Sequence, residues 1–189
     1  PIKSDTAFSG IKENGNHPFA SLLVSPDGEV LLKAQNSVST ENDRIGHAEI
    51  NLVRQAARKY SREELLASTL YSSAEPCAMC SGAIYWGNIG RGVYALSETG
   101  LLSLTGNSIE NPTLSLPCRD VFSSGQRSVE VVGPMLEDKA HKFIKDFGGS
   151  GLRLQDSNID RGNRGNMDKS DKILFTNLFN PCVEPAFIE

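Results

Sequence analysis

The chain has 189 residues, 39% of them hydrophobic and 22% charged, which indicates a globular domain large enough to bury its own core. Its 19 basic and 23 acidic residues leave a formal net charge of −4, and this acidic balance disfavours nucleic acids and anionic membranes as partners. The apolar runs fall far short of the ~20 residues of a membrane-spanning helix, and we see no basic segment followed by an apolar one, as in a secretory signal.

Apolar stripes, alternating segments and turn residues predict strands interleaved with helices. In chain order, the predicted elements are a helix over 4–14, strands over 19–24 and 29–35, helices over 46–60 and from 61, a strand over 69–72, a helix over 77–86, strands over 91–96 and 128–132, and a helix over 136–147. Residues 97–125 read as a loop with short helical stretches. This alternation predicts an α/β sandwich with a largely parallel sheet.

Two short motifs mark element boundaries. Ser25-Pro26-Asp27-Gly28 is typical of a hairpin turn, because proline fixes φ and glycine tolerates a positive φ. Ser61 and Glu64 match a capping box, which predicts that a helix begins between them.

The composition changes after residue 149. Residues 150–172 are rich in Gly, Asn, Asp and Arg and offer little to bury, which indicates a linker or disorder. Residues 173–188 turn apolar again, so they could pack back on the domain. We therefore expect a domain over residues 1–149, followed by a linker and C-terminal tail over residues 150–189.

His47, Cys77 and Cys80 form the candidate metal site. The two cysteines are three residues apart in a predicted helix, so both sulfurs lie on one face and could reach one ion. Both fall in its first turn, where unpaired N–H groups and the helix dipole favour thiolates. One imidazole and two thiolates suit Zn²⁺, and three ligands leave the fourth position open, as in catalytic sites. This use of cysteine favours a reducing compartment, the cytoplasm.

Glu49 is the candidate general base. It follows His47 by two residues, and positions i and i+2 of a helix do not share a face, so Glu49 is poorly placed to ligate the same ion. It could instead reach a water molecule beside the metal. Two thiolates cancel the charge of Zn²⁺, so a base would help to deprotonate that water.

His47-Ala48-Glu49 followed by Pro76-Cys77-Ala78-Met79-Cys80 matches the H-x-E…P-C-x-x-C signature of zinc deaminases. The chain resembles the cytidine deaminase superfamily over roughly residues 7–147, and within it the guanine deaminase and tRNA adenosine deaminase branch. Further motifs carrying the resemblance are His17-Pro18-Phe19, Asn36, Asn42-Asp43 and Gly82-Ala83-Ile84-Tyr85-Trp86. The last of these looks more like the guanine deaminases.

The resemblance implies a three-layer α/β/α sandwich around a five-stranded mixed sheet, and a homodimer or larger assembly. It also implies a hydrolase acting on the C–N bonds of cyclic amidines, with Glu49 moving protons beside Zn²⁺ held by His47, Cys77 and Cys80. Asn36 and the Ala48 N–H would bind the base, and Phe19 would pack near the pocket.

The substrate stays open among several bases. The resemblance and the acidic charge favour a small molecule, a free nucleobase or nucleoside, with guanine or a related purine first. A tRNA adenosine is the alternative, for which Arg44, Arg54, Arg58, Lys59 and Arg62 could supply a basic rim. Cytosine and cytidine also fit the chemistry. Glu98, Glu110 and Asp120 are candidates for reading the edge of a base.

Less specific interpretations remain beside these. The Cys-x-x-C pair could be a redox site, although that leaves His47 and Glu49 unexplained. Cys118 or Cys182 could complete a structural zinc site, or could simply be buried. Asn36 could be a turn residue at the end of a strand. A zinc-binding subunit without catalysis is a further possibility, against which the presence of Glu49 argues.

Overall fold

The computed structural model describes residues 15–106 and 113–147. Within them the chain forms β1 (Ala20–Val24), β2 (Val30–Gln35), α1 (Ala48–Lys59), α2 (Arg62–Ala67), β3 (Thr69–Ala74), α3 (Ala78–Trp86), β4 (Arg91–Leu96), α4 (Glu98–Thr105), α5 (Cys118–Ser123), β5 (Glu130–Val132) and α6 (Glu137–Phe147). The predicted helix over 4–14 and the tail over 150–189 lie outside these residues. No helix in the described part of the chain is long and apolar enough to span a membrane.

The five strands form one mixed sheet in the order β2-β1-β3-β4-β5. β1 pairs antiparallel with both β2 and β3, whereas β3 pairs parallel with β4, and β4 with β5. The mixed sheet implied by the resemblance is therefore confirmed. β2, β3, β4 and β5 run in the same direction, as a largely parallel sheet requires, and β1, the first strand of the predicted hairpin, runs the other way between β2 and β3.

This topology brings several chain segments to one edge of the sheet. The carboxyl ends of β2, β3 and β4 lie at that edge because these strands run in the same direction. The connection to α1 leaves from the end of β2, α3 follows β3, and α4 follows β4. β1 runs the opposite way, so its first residues also start there. Residues that follow the strands thus meet those that precede β1.

Helices cover both faces of the sheet and complete three layers. Leu22 and Leu23 are neighbours in β1, so their side chains point to opposite faces. Leu22 belongs to a buried cluster with residues of α4 and α6, and Leu23 to one with residues of α1, α3 and α5. The predicted three-layer sandwich is confirmed.

The local motifs form as the sequence predicts. Gly28 in the β1–β2 turn has a φ of +86°, and its N–H donates to the Ser25 carbonyl oxygen. The Ser61 hydroxyl accepts the Glu64 N–H, while the Glu64 carboxylate accepts the Ser61 N–H, so both halves of the capping box are present. The short helical stretches expected within residues 97–125 are α4 and α5. Ser97 caps α4, and the Glu75 carboxylate accepts the first N–H of each helix.

Candidate active site

His47 and Cys77 occupy the N-cap positions of α1 and α3. Each has extended backbone angles, and neither makes a side-chain capping hydrogen bond. Cys80 lies in the first turn of α3, and Glu49 in the first turn of α1. Because both helices begin at the same edge of the sheet, four polar side chains converge there from segments about 30 residues apart.

The three candidate ligands are close enough to share one ion. Cys77 Sγ and Cys80 Sγ lie 3.8 Å and 3.5 Å from His47 Nδ1, and the three ligand atoms all lie within 4.8 Å of one another. In a tetrahedral zinc site, nitrogen and sulfur ligands are about 3.6 Å apart. The donor set and its spacing therefore fit Zn²⁺, with His47 and Cys77 half-buried and Cys80 buried.

The protonation of the cysteines also suits metal binding. A hydrogen bond from Cys80 lowers the pKa of Cys77 to about 4, so Cys77 is a thiolate at neutral pH. The same contact, together with burial, raises the pKa of Cys80. A hydrogen bond with Cys77 raises the pKa of His47. A thiolate beside a second thiol and an imidazole is a group that gives up protons when a divalent cation arrives.

Cys118 does not join this group. It is fully buried in the cluster that α1, α3 and α5 share, and burial raises the pKa of its thiol above the range of a reactive cysteine. Among the described residues the group has three members, so the interpretation of a closed, four-ligand structural site finds no fourth ligand. Cys182 lies outside the described residues.

Glu49 is a buried carboxyl group that lies beside the candidate ligands. Its side chain is 6% exposed. Oε1 accepts a hydrogen bond from Ser72 Oγ at 2.6 Å, and Oε2 lies 3.5 Å from Cys80 Sγ. Burial raises the pKa of Glu49, and the bond from Ser72 opposes that rise. One oxygen is therefore anchored to β3, while the other contacts Cys80, one of the three candidate ligands.

Ser72 was not singled out from the sequence. It is a buried hydroxyl in the middle of β3, where apolar residues are expected. A serine inside a buried strand that leads into the cysteine motif is the signal that could have identified it, because a buried hydroxyl needs a partner. Its partner is the Glu49 carboxylate.

The three candidate substrate-binding residues lie beside this edge. Asn36 is buried, its Oδ1 accepts the Val38 N–H at 3.2 Å, and its own N–H donates to the Phe19 carbonyl oxygen. The bond from the Val38 N–H to Asn36 Oδ1 is typical of a turn residue, so the interpretation of Asn36 as a turn residue is confirmed for its side-chain oxygen. Ala48 is fully buried at the start of α1, where first-turn N–H groups have no acceptor within the helix. Phe19 is half-buried directly before β1 and packs against the core.

The structure separates the acidic candidates. Glu98, the first residue of α4, is half-buried beside the site: burial, together with the charges of Cys77, Glu75 and Glu49, raises its pKa to about 7. Asp120 is exposed in α5. Glu110 lies outside the described residues. Of the two carboxylates that the structure describes, Glu98 is therefore the one with electrostatic contact to the candidate ligands and to Glu49.

Comparison with known proteins places this geometry in a family. Residues 4–96 match the cytidine and deoxycytidylate deaminase zinc-binding region. A probable cytosine deaminase of Schizosaccharomyces pombe is 40% identical over 140 residues, which cover 72% of this chain and 85% of the relative. The guanine deaminase of Bacillus subtilis is 38% identical over 93 residues, 49% of this chain and 59% of the relative. A tRNA-specific adenosine deaminase of the same organism is 34% identical over 137 residues, 72% of this chain and 78% of the relative.

A solved structure has the same fold. The guanine deaminase from Nitrosomonas europaea superposes with a TM-score of 0.60 over 77% of this chain and 82% of that protein, at 22% sequence identity. The sequence relatives and the His-Cys-Cys group assign the chain to hydrolases that act on C–N bonds. The chain belongs to the cytidine and deoxycytidylate deaminase family of zinc-binding deaminases.

Proposed function

We propose that this deaminase acts on a free amino-substituted base, with guanine or a related purine as the first candidate. In this reaction a C–O bond forms from water, the bond between the ring carbon and its amino nitrogen breaks, and ammonia leaves. The observation that carries the choice of a free base is Glu98, a half-buried carboxylate beside Glu49 and the candidate ligands.

We assign His47, Cys77 and Cys80 as the ligands of one Zn²⁺ ion. Their spacing and the thiolate character of Cys77 support this assignment. When bound, such an ion supplies Lewis-acid activation of a water molecule. Both cysteines lie at the start of α3, so its first-turn N–H groups and helix dipole stabilise the negative sulfurs.

We assign Glu49 as the catalytic acid and base. Its Oε2 faces the ligand atoms, so Oε2 is the oxygen that takes a proton from water and later gives it to the substrate. Ser72 fixes the other oxygen and so prevents the carboxylate from rotating away. A carboxyl group whose pKa is raised by burial can hold the proton between the two transfers, which a group with an ordinary pKa does poorly at neutral pH.

Asn36, Ala48 and Phe19 form the proposed pocket for the base. Because Asn36 Oδ1 is already bonded to the Val38 N–H, the Asn36 amide nitrogen is the atom that we expect to donate to the substrate. The Ala48 N–H is a second donor, at the positive end of α1. Phe19 offers an aromatic surface against which a planar base can pack.

Glu98 supports a base that carries an N–H group on its ring. A carboxylate only accepts hydrogen bonds, and free guanine offers the N1–H and N9–H donors. Adenosine and cytidine have no ring N–H, since the sugar occupies that nitrogen and the other ring nitrogens are acceptors. An unpaired carboxylate beside such a substrate would be unfavourable. Glu98 therefore favours a free base over adenosine, cytidine or an adenosine in RNA, whereas guanosine keeps its N1–H and is distinguished from guanine only by the substrate panel.

Cytosine is the second candidate. Free cytosine carries an N1–H, so it satisfies the same carboxylate, and the similarity to a probable cytosine deaminase extends over 140 residues. Guanine ranks first because residues 82–86 resemble guanine deaminases and because the fold matches one of them.

A tRNA substrate finds less support. Arg54, Arg58 and Lys59 are exposed on α1, but the helix begins at the site and carries them away from it at about 1.5 Å per residue. Arg62 lies farther along, at the start of α2, and Arg44 alone of this basic set precedes α1. Arg54, Arg58 and Lys59 therefore fit a solvated helix face better than a basic rim around the site.

The test is ammonia release by zinc-loaded protein from guanine, guanosine, adenine, cytosine, cytidine and a tRNA anticodon stem, with Glu49→Gln as the blank. We expect release from guanine that disappears in the blank. Release from cytosine alone would replace the first candidate by the second, and release from the RNA alone would overturn the free-base proposal. Bound zinc without turnover on any compound would favour a subunit without catalysis.

We further propose that the protein is a homodimer in the cytoplasm. Trp86 at the end of α3 is 85% exposed, and α3 carries no charged residue, which supports an apolar contact with a second copy. The three described cysteines are free thiols, as in a reducing compartment. Sedimentation should give twice the chain mass for the wild type and a smaller species for Trp86→Glu. A wild-type protein that sediments at the mass of one chain would contradict the dimer.

A further inference from the structure

Glu75 is a buried carboxylate directly before the cysteine motif, and its position has no role in the chemistry described above. Its side chain is 8% exposed. Oε2 accepts the Glu98 N–H at 3.1 Å, and Oε1 accepts the Cys118 N–H at 3.0 Å. Its own N–H donates to the Leu96 carbonyl oxygen at 2.7 Å. Each carboxylate oxygen therefore holds one backbone group that is distant in sequence.

The two N–H groups belong to the starts of two helices. Glu98 is the first residue of α4, and Cys118 is the first residue of α5. Such first-turn N–H groups have no acceptor within their own helix. One carboxylate satisfies both of them and so sets the distance between the two helix starts. Since Glu75 is two residues from Cys77, it also sets both starts relative to a candidate metal ligand.

A second carboxylate holds the same turn from the opposite side. Glu137 of α6 accepts the Ser97 N–H at 3.2 Å and also accepts the Ser97 hydroxyl. Ser97 in turn caps α4 through the Gly100 N–H at 3.0 Å. The backbone N–H groups of Ser97 and Glu98 are thus bound to two acidic side chains, which fixes the point from which the Glu98 side chain extends.

We propose that Glu75 is a positioning residue that fixes Glu98 at the distance from Glu49 that substrate recognition requires. The proposal rests on the role given to Glu98 above. It requires a carboxylate at position 75, because the two N–H donors are bonded to different oxygens of the same side chain. A glutamine of the same shape offers one acceptor oxygen and an amino group that faces the second N–H as donor against donor.

The first test is a double-mutant cycle with Glu75→Gln and Glu98→Gln on zinc-loaded protein. We expect Glu75→Gln to lower kcat/KM by roughly 10-fold or more, as for a misplaced binding group. If Glu75 acts through Glu98, the same change in the Glu98→Gln background should cost less than about twofold. Additive losses, or full activity in Glu75→Gln, would overturn the proposal. So would loss of bound zinc, which would mean that Glu75 acts through Cys77 instead.

Glu64→Gln is the matched control. Glu64 is also a carboxylate that accepts a backbone N–H at a helix start, but it is exposed and belongs to α2. We expect this variant to keep the wild-type kcat/KM. Glu75→Asp is the second variant: it keeps both acceptor oxygens on a shorter side chain and should recover part of the activity that Glu75→Gln loses, whether or not the glutamine variant is stable.

Amide hydrogen exchange distinguishes a failure of this proposal from a failure of the proposed function. In Glu75→Gln we expect the Glu98 or Cys118 amide to lose protection, while the Glu64→Gln variant should affect the Ser61 amide instead. This readout needs no turnover. If no base is deaminated but these amides lose protection, the clamp stands and the substrate assignment fails. Unchanged protection at both amides would overturn the clamp even in an active enzyme.

Discussion

The start of α2 differs from the starts of α1 and α3. α2 caps itself: Ser61 and Glu64 exchange hydrogen bonds between their side chains and backbone N–H groups, on the exposed surface. α1 and α3 begin with His47 and Cys77, which make no capping hydrogen bond with their side chains. A good N-cap contributes about 1 kcal/mol to stability, so both helices at the site forgo that gain.

The difference separates residues that stabilise a helix from residues that contribute to the site. At α2 the residues at the helix start stabilise the helix by capping it. At α1 and α3 the same positions hold the groups that could bind a metal ion, and the first-turn N–H groups remain available to stabilise thiolates or a ligand. We therefore expect substitutions at the starts of α1 and α3 to change activity more than stability, and those at the start of α2 to do the reverse.

Glu49→Gln should give the largest loss. The amide is nearly isosteric and can keep the contact with Ser72, but it cannot accept and return a proton. We expect kcat to fall by roughly 10²- to 10⁴-fold, with the bound zinc and the melting temperature near those of the wild type. Steady-state ammonia release and metal analysis check this. A variant with more than about a tenth of the wild-type kcat would remove Glu49 from its proposed role.

Cys77→Ser should separate metal binding from folding. The variant should lose bound zinc and activity, because a hydroxyl is a poor ligand for zinc in place of a thiolate. Serine is also a preferred N-cap, so the metal-free variant should unfold at equal or higher denaturant concentration, with a gain of up to about 1 kcal/mol. Cys118→Ala is the control and should keep its zinc, since Cys118 lies outside the ligand group. A metal-free Cys77→Ser protein that is clearly less stable would contradict the comparison.

Glu98→Gln should change the pH profile. The pKa of Glu98 is raised to about 7, so the carboxylate becomes protonated as the pH falls through neutrality. The protonated group carries its own O–H donor and is a weaker acceptor for a ring N–H. We expect kcat/KM for guanine to fall on the acid side of about pH 7 in the wild type. The variant should lack that limb and be slower by on the order of 10-fold, the value of one hydrogen bond to a charged group. An acid limb that is unchanged in the variant belongs to Glu49 and would rule out titration of Glu98.

Ser61→Ala should give the smallest effect on activity. Loss of the capping hydroxyl of α2 should lower the free energy of unfolding by about 1 kcal/mol, measured by urea denaturation. The kcat/KM of the variant should equal that of the wild type, because α2 begins away from the site. A loss of activity without a loss of stability would reverse the contrast between the two kinds of helix start.

The grouping of the candidate ligands with Glu49 could be predicted from sequence because it depends on local spacing. Cys77 and Cys80 share a helix turn, and His47 precedes Glu49 by two residues at another helix start. The five-stranded sheet followed from the resemblance, and the hairpin turn predicted that β1 runs antiparallel to β2. The position of β1 between β2 and β3 did not follow from the alternation of strands and helices.

The contacts that arrange the site could not be predicted in the same way. Ser72 and Glu75 act on partners 23 residues or more away in sequence, so no local pattern reveals them. The starts of α4 and α5 are fixed partly by that same distant carboxylate, which explains why their sequences alone read as a loop. Glu98 lies at the edge where the candidate ligands meet because it follows the end of β4 almost directly.

One measurement tests most directly whether the metal group and Glu49 together form a deaminase site. Protein stripped with a chelator is titrated with Zn²⁺, and ammonia release is followed from whichever base in the substrate panel reacts fastest. We expect no release from the stripped protein and a rate that rises with added zinc and levels off at about one ion per chain. The same rate in stripped and zinc-loaded protein would contradict the assignment of His47, Cys77 and Cys80 as the ligands of a catalytic ion.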